Sequence, residues 1–381
     1  MNTKSKKNDY TLILLISISI ILLGYSAIYL INYYSNNNIL IYFPESVSSD
    51  GKKLNPNEIG DTIGGILNPI IGFTASILTF LAFYIQFKAN KQQKELFRQE
   101  LDSNKFESQF YEMLRLHKEN VNEINIKLTF DSKTRNEIHI QTEDVSGREC
   151  FKYFLEELKI IYFVAKKSIN LITHDKAINI AYSIFFHGIG VFINKPIYTK
   201  EEREFYEILK SLEYINDGNR NIGTRGNKHK FNDYVSEKSN YYGAKVLNYD
   251  LFQGHSANLA HYYRHLYQTV KFIANQNDQF LTYEQKRNYL RILRSQLSNQ
   301  EQAMLFYNWK SDFGHGWQNK TNKYFTDYRM IHNLYNDLLI SDFDLKVIFD
   351  IENLNYKKEI NRTNDSLFEF QDWSTHIHND L

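Results

Sequence analysis

Residues 255–267 read HSANLAHYYRHLY and hold three histidines, three tyrosines and an arginine. His261 and His265 stand four apart, which puts both imidazoles on one helix face, the spacing at which a helix can chelate zinc. A zinc site needs a third ligand, and the glutamate that usually follows the first histidine is replaced by Tyr262. A nuclease site assembled from His261, Arg264 and His265, with Arg294 or Glu301 added from farther along, is the catalytic alternative. The plainer reading is packing. Leu259, Tyr263, Leu266, Val270 and Ile273 recur with four-three spacing as a buried stripe, His261 and His265 lie roughly opposite it, and Arg264 sits near its edge. The histidines are then a second polar layer or a solvated face.

Other residues offer weaker chemistry. RNIGTRGNKHK places Arg220, Arg225, Lys228 and Lys230 close together, a patch able to touch RNA, DNA or lipid phosphates. A solvated basic loop is the favoured reading, and nucleic acid is not the favoured partner. There is no G-x-x-x-x-G-K-[ST] and no G-x-G-x-x-G, so no nucleotide loop is visible. Asp342, Asp344 and Asp350 could share a cation, but a wet helix or strand face accounts for them equally. The Arg-x4–6-His pattern of HEPN ribonucleases is missing: Arg135–His139 and Arg225–His229 enclose too few residues, as does Arg329–His332. Cys150 is the one cysteine; its neighbour Glu149 disfavours a thiolate, and a disulfide framework is impossible. No catalytic residue, metal or cofactor is therefore assigned.

The elements that must position these residues are mainly helical. Glycine (16) and proline (4) are scarce among 381 residues, and 28 tyrosines with 27 phenylalanines supply an aromatic core. Lys plus Arg (45) balance Asp plus Glu (44), so no global charge draws the chain to nucleic acid. Residues 10–32 and 63–87 are uncharged apolar stretches, each long enough for the ~20 residues that cross a bilayer. Lys4, Lys6 and Lys7 precede the first, and Lys88, Lys91, Lys94 and Arg98 follow the second. The positive-inside rule then gives a hairpin with a cytoplasmic N-terminus (1–9), an extracytoplasmic loop (33–62) and a cytoplasmic remainder. The first stretch is too long for a cleaved signal and reads as an anchor. Asn68-Pro69 is expected in the opening turns of the second span, where proline costs least. Gly65, Pro69, Gly72, Ser76 and Thr79 form a small-residue stripe that would let another helix, from the same chain or a second copy, approach closely. Neither span carries Asp, Glu, Lys, Arg or His, which disfavours an ion pathway within one hairpin.

Residues 88–124 contain no Gly or Pro and read as a helical stalk continuing the second span. A helical cytoplasmic domain (125–345) follows. It opens with a small β-hairpin, alternating apolar residues at 124–130 with DSKTRN before EIHI. Capping boxes are expected at Ser146–Glu149, Thr199–Glu202 and Ser298–Glu301, and a helix over 176–187 should stop at Gly188. Residues 216–250 have turn chemistry throughout and read as a long insertion, and DLKVIFDI reads as a strand entering a C-terminal tail (346–381).

Five stretches in order, GGILNPIIGFTASILTFLAFYIQ, FESQFYEMLRLHKENV, GRECFKYFLEEL, HYYRHLYQTVKFI and YLRILRSQLSNQEQAMLFYN, give the chain a family resemblance. It is similar to the AbiC-like phage abortive infection proteins, two-span membrane effectors also found with retrons. That resemblance implies a bacterial inner-membrane, multi-pass defence protein that arrests or kills infected cells. Implied partners are the lipid bilayer, a second copy bound through the spans or stalk, and a phage protein or a retron or other defence-system component. It transfers no catalytic residue.

Overall fold

The structure, a computed structural model, describes residues 2–36, 56–134, 137–169, 172–192, 200–220, 251–350 and 365–370. The basic loop residues Arg225, Lys228 and Lys230, and the side chain of Arg220, lie outside what is described, as does Thr199. The chain forms two compact units, Met1–Glu107 and Ser108–Leu381. The fold is mainly α with one two-stranded antiparallel sheet.

The first unit holds α1 (Asn2–Asn36) and the greater part of α2 (Pro56–Glu123). Both helices are long and apolar enough to cross a membrane. Their covered positions recur every seven residues: Ser19 and Ser26 on α1; Leu67, Thr74 and Leu81 on α2. Within the two apolar stretches most other side chains are open, with Ile20, Phe73, Phe80, Phe83 and Phe87 among the exposed ones. Each hydroxyl of Ser17, Ser19, Ser26, Thr74, Ser76 and Thr79 donates to the carbonyl four residues earlier. Such closure inside the helix is what a hydrocarbon surround requires, because it offers no partner to a polar group. Pro69 is not in the opening turns. The helix begins at Pro56, so Pro69 lies in its interior and cannot donate to the Gly65 carbonyl. The small-residue stripe faces away from the covered side: Gly65, Pro69, Gly72, Ser76 and Thr79 are all exposed.

In the second unit, β1 (Asn125–Thr134) pairs with β2 (Glu137–Ser146) from Asn125↔Ser146 to Thr134↔Glu137. The hairpin is longer than its apolar alternation suggested, and DSKT belongs to β1 rather than to the turn. Ile126 and Leu128 are buried on one strand and Val145, opposite Ile126, on the other. Ser146 makes no capping bond, contrary to the expected box. It is spent in the sheet, and a short 3₁₀ turn, Gly147–Glu149, intervenes before α3 (Cys150–Ser168).

The core is built around α3 and α8 (Asn299–Lys310). Phe151, Phe154, Leu158, Ile161, Tyr162 and Ala165 of α3 have no exposed surface. All residues from Glu301 to Asn308 are buried, so α8 is enclosed on every side and its polar groups must find partners inside. Its expected capping box forms: Ser298 Oγ accepts from the Glu301 amide, and Glu301 Oε2 accepts from the Ser298 amide at 2.7 Å. Around this pair lie α4 (His174–His187), capped by Thr173, then α5 (Lys200–Arg220), α6 (Ser256–Ala274) and α7 (Tyr283–Arg294). The expected strand in DLKVIFDI is instead one helical turn, Leu345–Ile348, because the Asp344 side chain accepts from the Lys346 amide and caps it. Residues 365–370 return to the body, where Arg329 donates to Asp365 and Ser366 and the Glu369 amide donates to the His332 carbonyl.

The entry to α6 depends on a backbone crossing. Gly188 ends α4 at φ 85°, Gly254 precedes α6 at φ 91°, and the two segments touch. A Cβ on Gly188 would lie 2.3 Å from the Gln253 carbonyl oxygen, and one on Gly254 would lie 2.5 Å from the His187 carbonyl carbon. The Ile189 amide donates to Phe252, and the His255 amide to Phe185 and Phe186. Glu157 of α3 locks the crossing: Oε1 accepts from the Phe252 amide at 2.7 Å, and Oε2 lies 2.9 Å from His255 Nε2. Replacing Gly188 or Gly254 with alanine should destabilise the protein by at least ~1–3 kcal/mol from backbone strain alone, before any displacement. Gly190→Ala, with open space at its Cβ, is the control and should leave the thermal midpoint nearly unchanged. Equal midpoints for all three variants would contradict the crossing.

Candidate functional site

One open cavity of about 410 Å³ is walled by Phe186 of α4, Tyr263, Arg264 and Tyr267 of α6, Asn308 of α8 and Trp317 beyond it. Phe313, Gly314, Gly316 and Ala260 complete the lining. Its shape follows from the crossing above. Gly188 and Gly254 fix where α6 starts relative to α4, so that α6 turns Ala260, Tyr263, Arg264 and Tyr267 toward α8. The segment GHGW (314–317) can then lie close against both helices. A Cβ on Gly314 would meet Asn308 Oδ1 at 2.4 Å, and one on Gly316 would meet the Tyr267 ring at 2.9 Å.

The walls are held rigidly. Trp317 Nε1 donates to Asn308 Oδ1 at 3.2 Å, and Asn308 Nδ2 donates to the Tyr182 hydroxyl at 3.0 Å. The Tyr267 hydroxyl accepts from Asn322 at 3.2 Å, and its ring meets Trp317 edge to face. Tyr263 donates to the Met304 carbonyl. Burial pushes the Tyr263 hydroxyl far above the usual phenol range, so it is neutral at every physiological pH. Arg264 is different. It is exposed on the cavity wall and makes no hydrogen bond or ion pair with any of the described residues. Asp312, adjacent in sequence to the lining residue Phe313, accepts from Asn179 and lies 3.4 Å from His315.

The other residues singled out by type and spacing fall elsewhere. His261 is exposed. His265 is half-buried, with its ring stacked 6.2 Å from that of His117 on α2. His117 is buried, its two ring nitrogens lack partners among the described residues, and Tyr262 packs 5.4 Å away. Burial, then the neighbouring His265 and Arg148, lower the His117 imidazole to about 4. Glu301 is fully buried, bonded to Tyr262 at 3.2 Å and paired with Arg148 at 3.6 Å. Its carboxyl is raised by burial, with the Ser298 cap, Arg148 and Tyr262 opposing. Arg294 donates to the Arg329 carbonyl and is lowered to about 10, mainly by burial and then by Arg287 and Arg291. Among the described residues, no hydrogen bond or ion pair joins any two of His261, Arg264, His265, Arg294 and Glu301. No cluster of three metal-ligating side chains occurs among the described residues either. Asp342 bonds Tyr162 at 2.7 Å and His174 at 2.9 Å, and Asp344 is the helix cap, so each carboxylate has its own partners. Cys150 is buried with its thiol raised to about 11, chiefly by that burial.

Sequence reasoning passed over Asn308, Trp317 and His117. The available signal for the first two was GHGW, where glycines flank a histidine and lead into tryptophan just after a helix. For His117 there was none, since one histidine in a charged helix is ordinary.

Residues 254–338 match the family described as "Putative phage abortive infection protein". The resemblance therefore has support over the stretch that supplies every cavity-lining residue except Phe186. No curated protein and no solved structure matches the chain.

The buried His117 sets a pH dependence. The unfolded imidazole takes up its proton near 6.5 and the folded one only near 4. Stability is therefore unaffected above about 6.5, falls as pH drops between those values, and levels off below about 4. The loss from this group should be on the order of 3 kcal/mol. Thermal unfolding across pH 7.5 to 4 should show a shallower decline in His117→Phe than in the wild type. Parallel curves would show that His117 does not titrate in this way.

Proposed function

We propose that this protein is a membrane effector of phage abortive infection, anchored by α1 and α2 as a hairpin with both termini in the cytoplasm. Its body responds to infection or to a partner and drives growth arrest through the membrane. The match of residues 254–338 carries the defence role, and it stands in a chain that also holds two helices able to span a bilayer. The orientation is supported by Lys4, Lys6 and Lys7 before α1 and by Lys88, Lys91, Lys94 and Arg98 after the second apolar stretch.

The apolar surface of α1 and α2 supports the membrane reading physically. Phenylalanine and isoleucine side chains this exposed would form a patch well beyond the few hundred Å² that a soluble monomer tolerates. In lipid the same surface is solvated. The spans carry no Asp, Glu, Lys, Arg or His, so permeation would require several copies. The uncovered stripe of Gly65, Gly72, Ser76 and Thr79 is the face on which such copies could pack.

Induced in bacterial cells, the full chain should collapse the membrane potential, read with a voltage-sensitive dye, before growth stops. Gly65→Leu with Gly72→Leu should still reach the membrane yet lose most of the depolarisation, because leucines hold neighbouring helices apart. Growth arrest with the potential intact would reject the membrane mechanism.

A further inference from the structure

The guanidinium of Arg264, which has no hydrogen-bond or ion-pair partner among the described residues, stands beside aromatic walls and calls for a ligand with two unlike ends. We propose that the cavity between α4, α6, α8 and the 313–317 segment binds a nucleoside monophosphate. The base would lie against Tyr267 and Phe313, with the buried Trp317 behind them, and the phosphate would pair with Arg264.

Three observations fit that chemistry. First, 410 Å³ lies within the roughly 300–1,000 Å³ typical of small-molecule sites. Second, Phe313 is exposed and Tyr267 half-buried at the wall, and every base presents a π-face worth ~1–3 kcal/mol when stacked on an aromatic side chain. Trp317 and Tyr267 are held at right angles by fixed hydrogen bonds, so little side-chain freedom is lost on binding. Third, Asn308 has capacity left. Its amide has two hydrogens and its oxygen two lone pairs; Tyr182 takes one hydrogen and Trp317 one lone pair. A buried amide with a spare donor and acceptor can read the polar edge of a base.

The single cation sets the charge of the ligand. Arg264 pairs with one phosphate through two parallel N–H···O bonds, a geometry that suits a monophosphate. Among the described residues no second basic side chain lines the cavity for a triphosphate. A purely apolar occupant would leave the guanidinium unused, and a free phosphate would leave the aromatic walls uncovered. The proposal does not rest on the membrane reading; it holds or fails on binding alone.

The test uses the full chain in detergent, titrated with AMP, GMP, CMP and UMP and with the matching nucleosides, followed by tryptophan emission and by the thermal midpoint. At least one monophosphate should bind, and its nucleoside should bind at least about tenfold more weakly, the loss of one charge-assisted contact. Arg264→Ala should bring the monophosphate down to the affinity of the nucleoside and leave the nucleoside unchanged. Arg264 is exposed and has no internal partner among the described residues, so this variant keeps the fold. Lys271→Ala, an exposed cation two turns along α6, should bind as the wild type does. Absence of any response to all four monophosphates overturns the proposal. So does equal loss of monophosphate and nucleoside binding in Arg264→Ala, or a monophosphate affinity that Arg264→Ala does not change.

Discussion

The carboxylate of Glu157 has no exposed surface, and the body of the protein is arranged around it. A buried carboxylate is costly unless its lone pairs are filled. Here they are filled by the Phe252 amide and by His255, both from the short segment that leads into α6. Three elements are thereby tied together: α3, the end of α4 at Gly188, and the start of α6. Two glycines let the backbones approach closely enough for the bonds to form. From that point outward, the direction of α6 determines where Tyr263, Arg264 and Tyr267 are placed.

The two units of the chain solve opposite solvation problems with the same element. In the body, helices hide their apolar faces, and α8 goes furthest by being enclosed on all sides. Its polar groups are then satisfied one by one: Gln302 Oε1 accepts from the Asn333 amide, Asn308 joins Tyr182 to Trp317, and Glu301 serves as cap and as partner of Tyr262. In the first unit the apolar side chains are outside and the hydroxyls turn back on their own helix. The change occurs within α2, which runs unbroken from Pro56 to Glu123 while its composition shifts from Phe and Ile to Lys, Gln and Glu after residue 87. Backbone hydrogen bonding continues across the shift, because helix formation depends on local propensity and not on which solvent surrounds the side chains.

Local chemistry made much of this legible from sequence. The α8 capping box, the stop at Gly188 and the buried stripe of Leu259, Tyr263, Leu266, Val270 and Ile273 each depend on residues within a few positions of one another. Where reading failed, a distant or competing partner decided the outcome. Ser146 was drawn into a strand by Asn125, so it could not cap. Asp344 captured the Lys346 amide and turned an apolar run helical. Pro69 fell inside a helix because the apolar window begins only at residue 63, whereas the helix itself starts at Pro56. The cavity was hidden for the same reason. Asn308, Gly314 and Trp317 are close in sequence, but Phe186 and Tyr263 reach them only through the crossing at Gly188 and Gly254.

The run HSANLAHYYRHLY illustrates how residue type misleads without placement. Its three histidines attract notice, yet each has a packing or surface position: His255 bonds Glu157, His265 stacks on His117, and His261 is in solvent. Its tyrosines sort likewise, with Tyr262 bonded to Glu301 while Tyr263 and Tyr267 form walls. Arg264 is left as the charged side chain of the run that no described residue satisfies, one helical turn from His261 but on the cavity. A guanidinium is weakly hydrated and suited to planar, bidentate partners, so one without a partner among the described residues, beside tryptophan and tyrosine, is where selectivity for a ligand would reside. Of the charged and aromatic side chains in the segment, Arg264 is thus the one left over, while His255 and His265 belong to the frame that presents it.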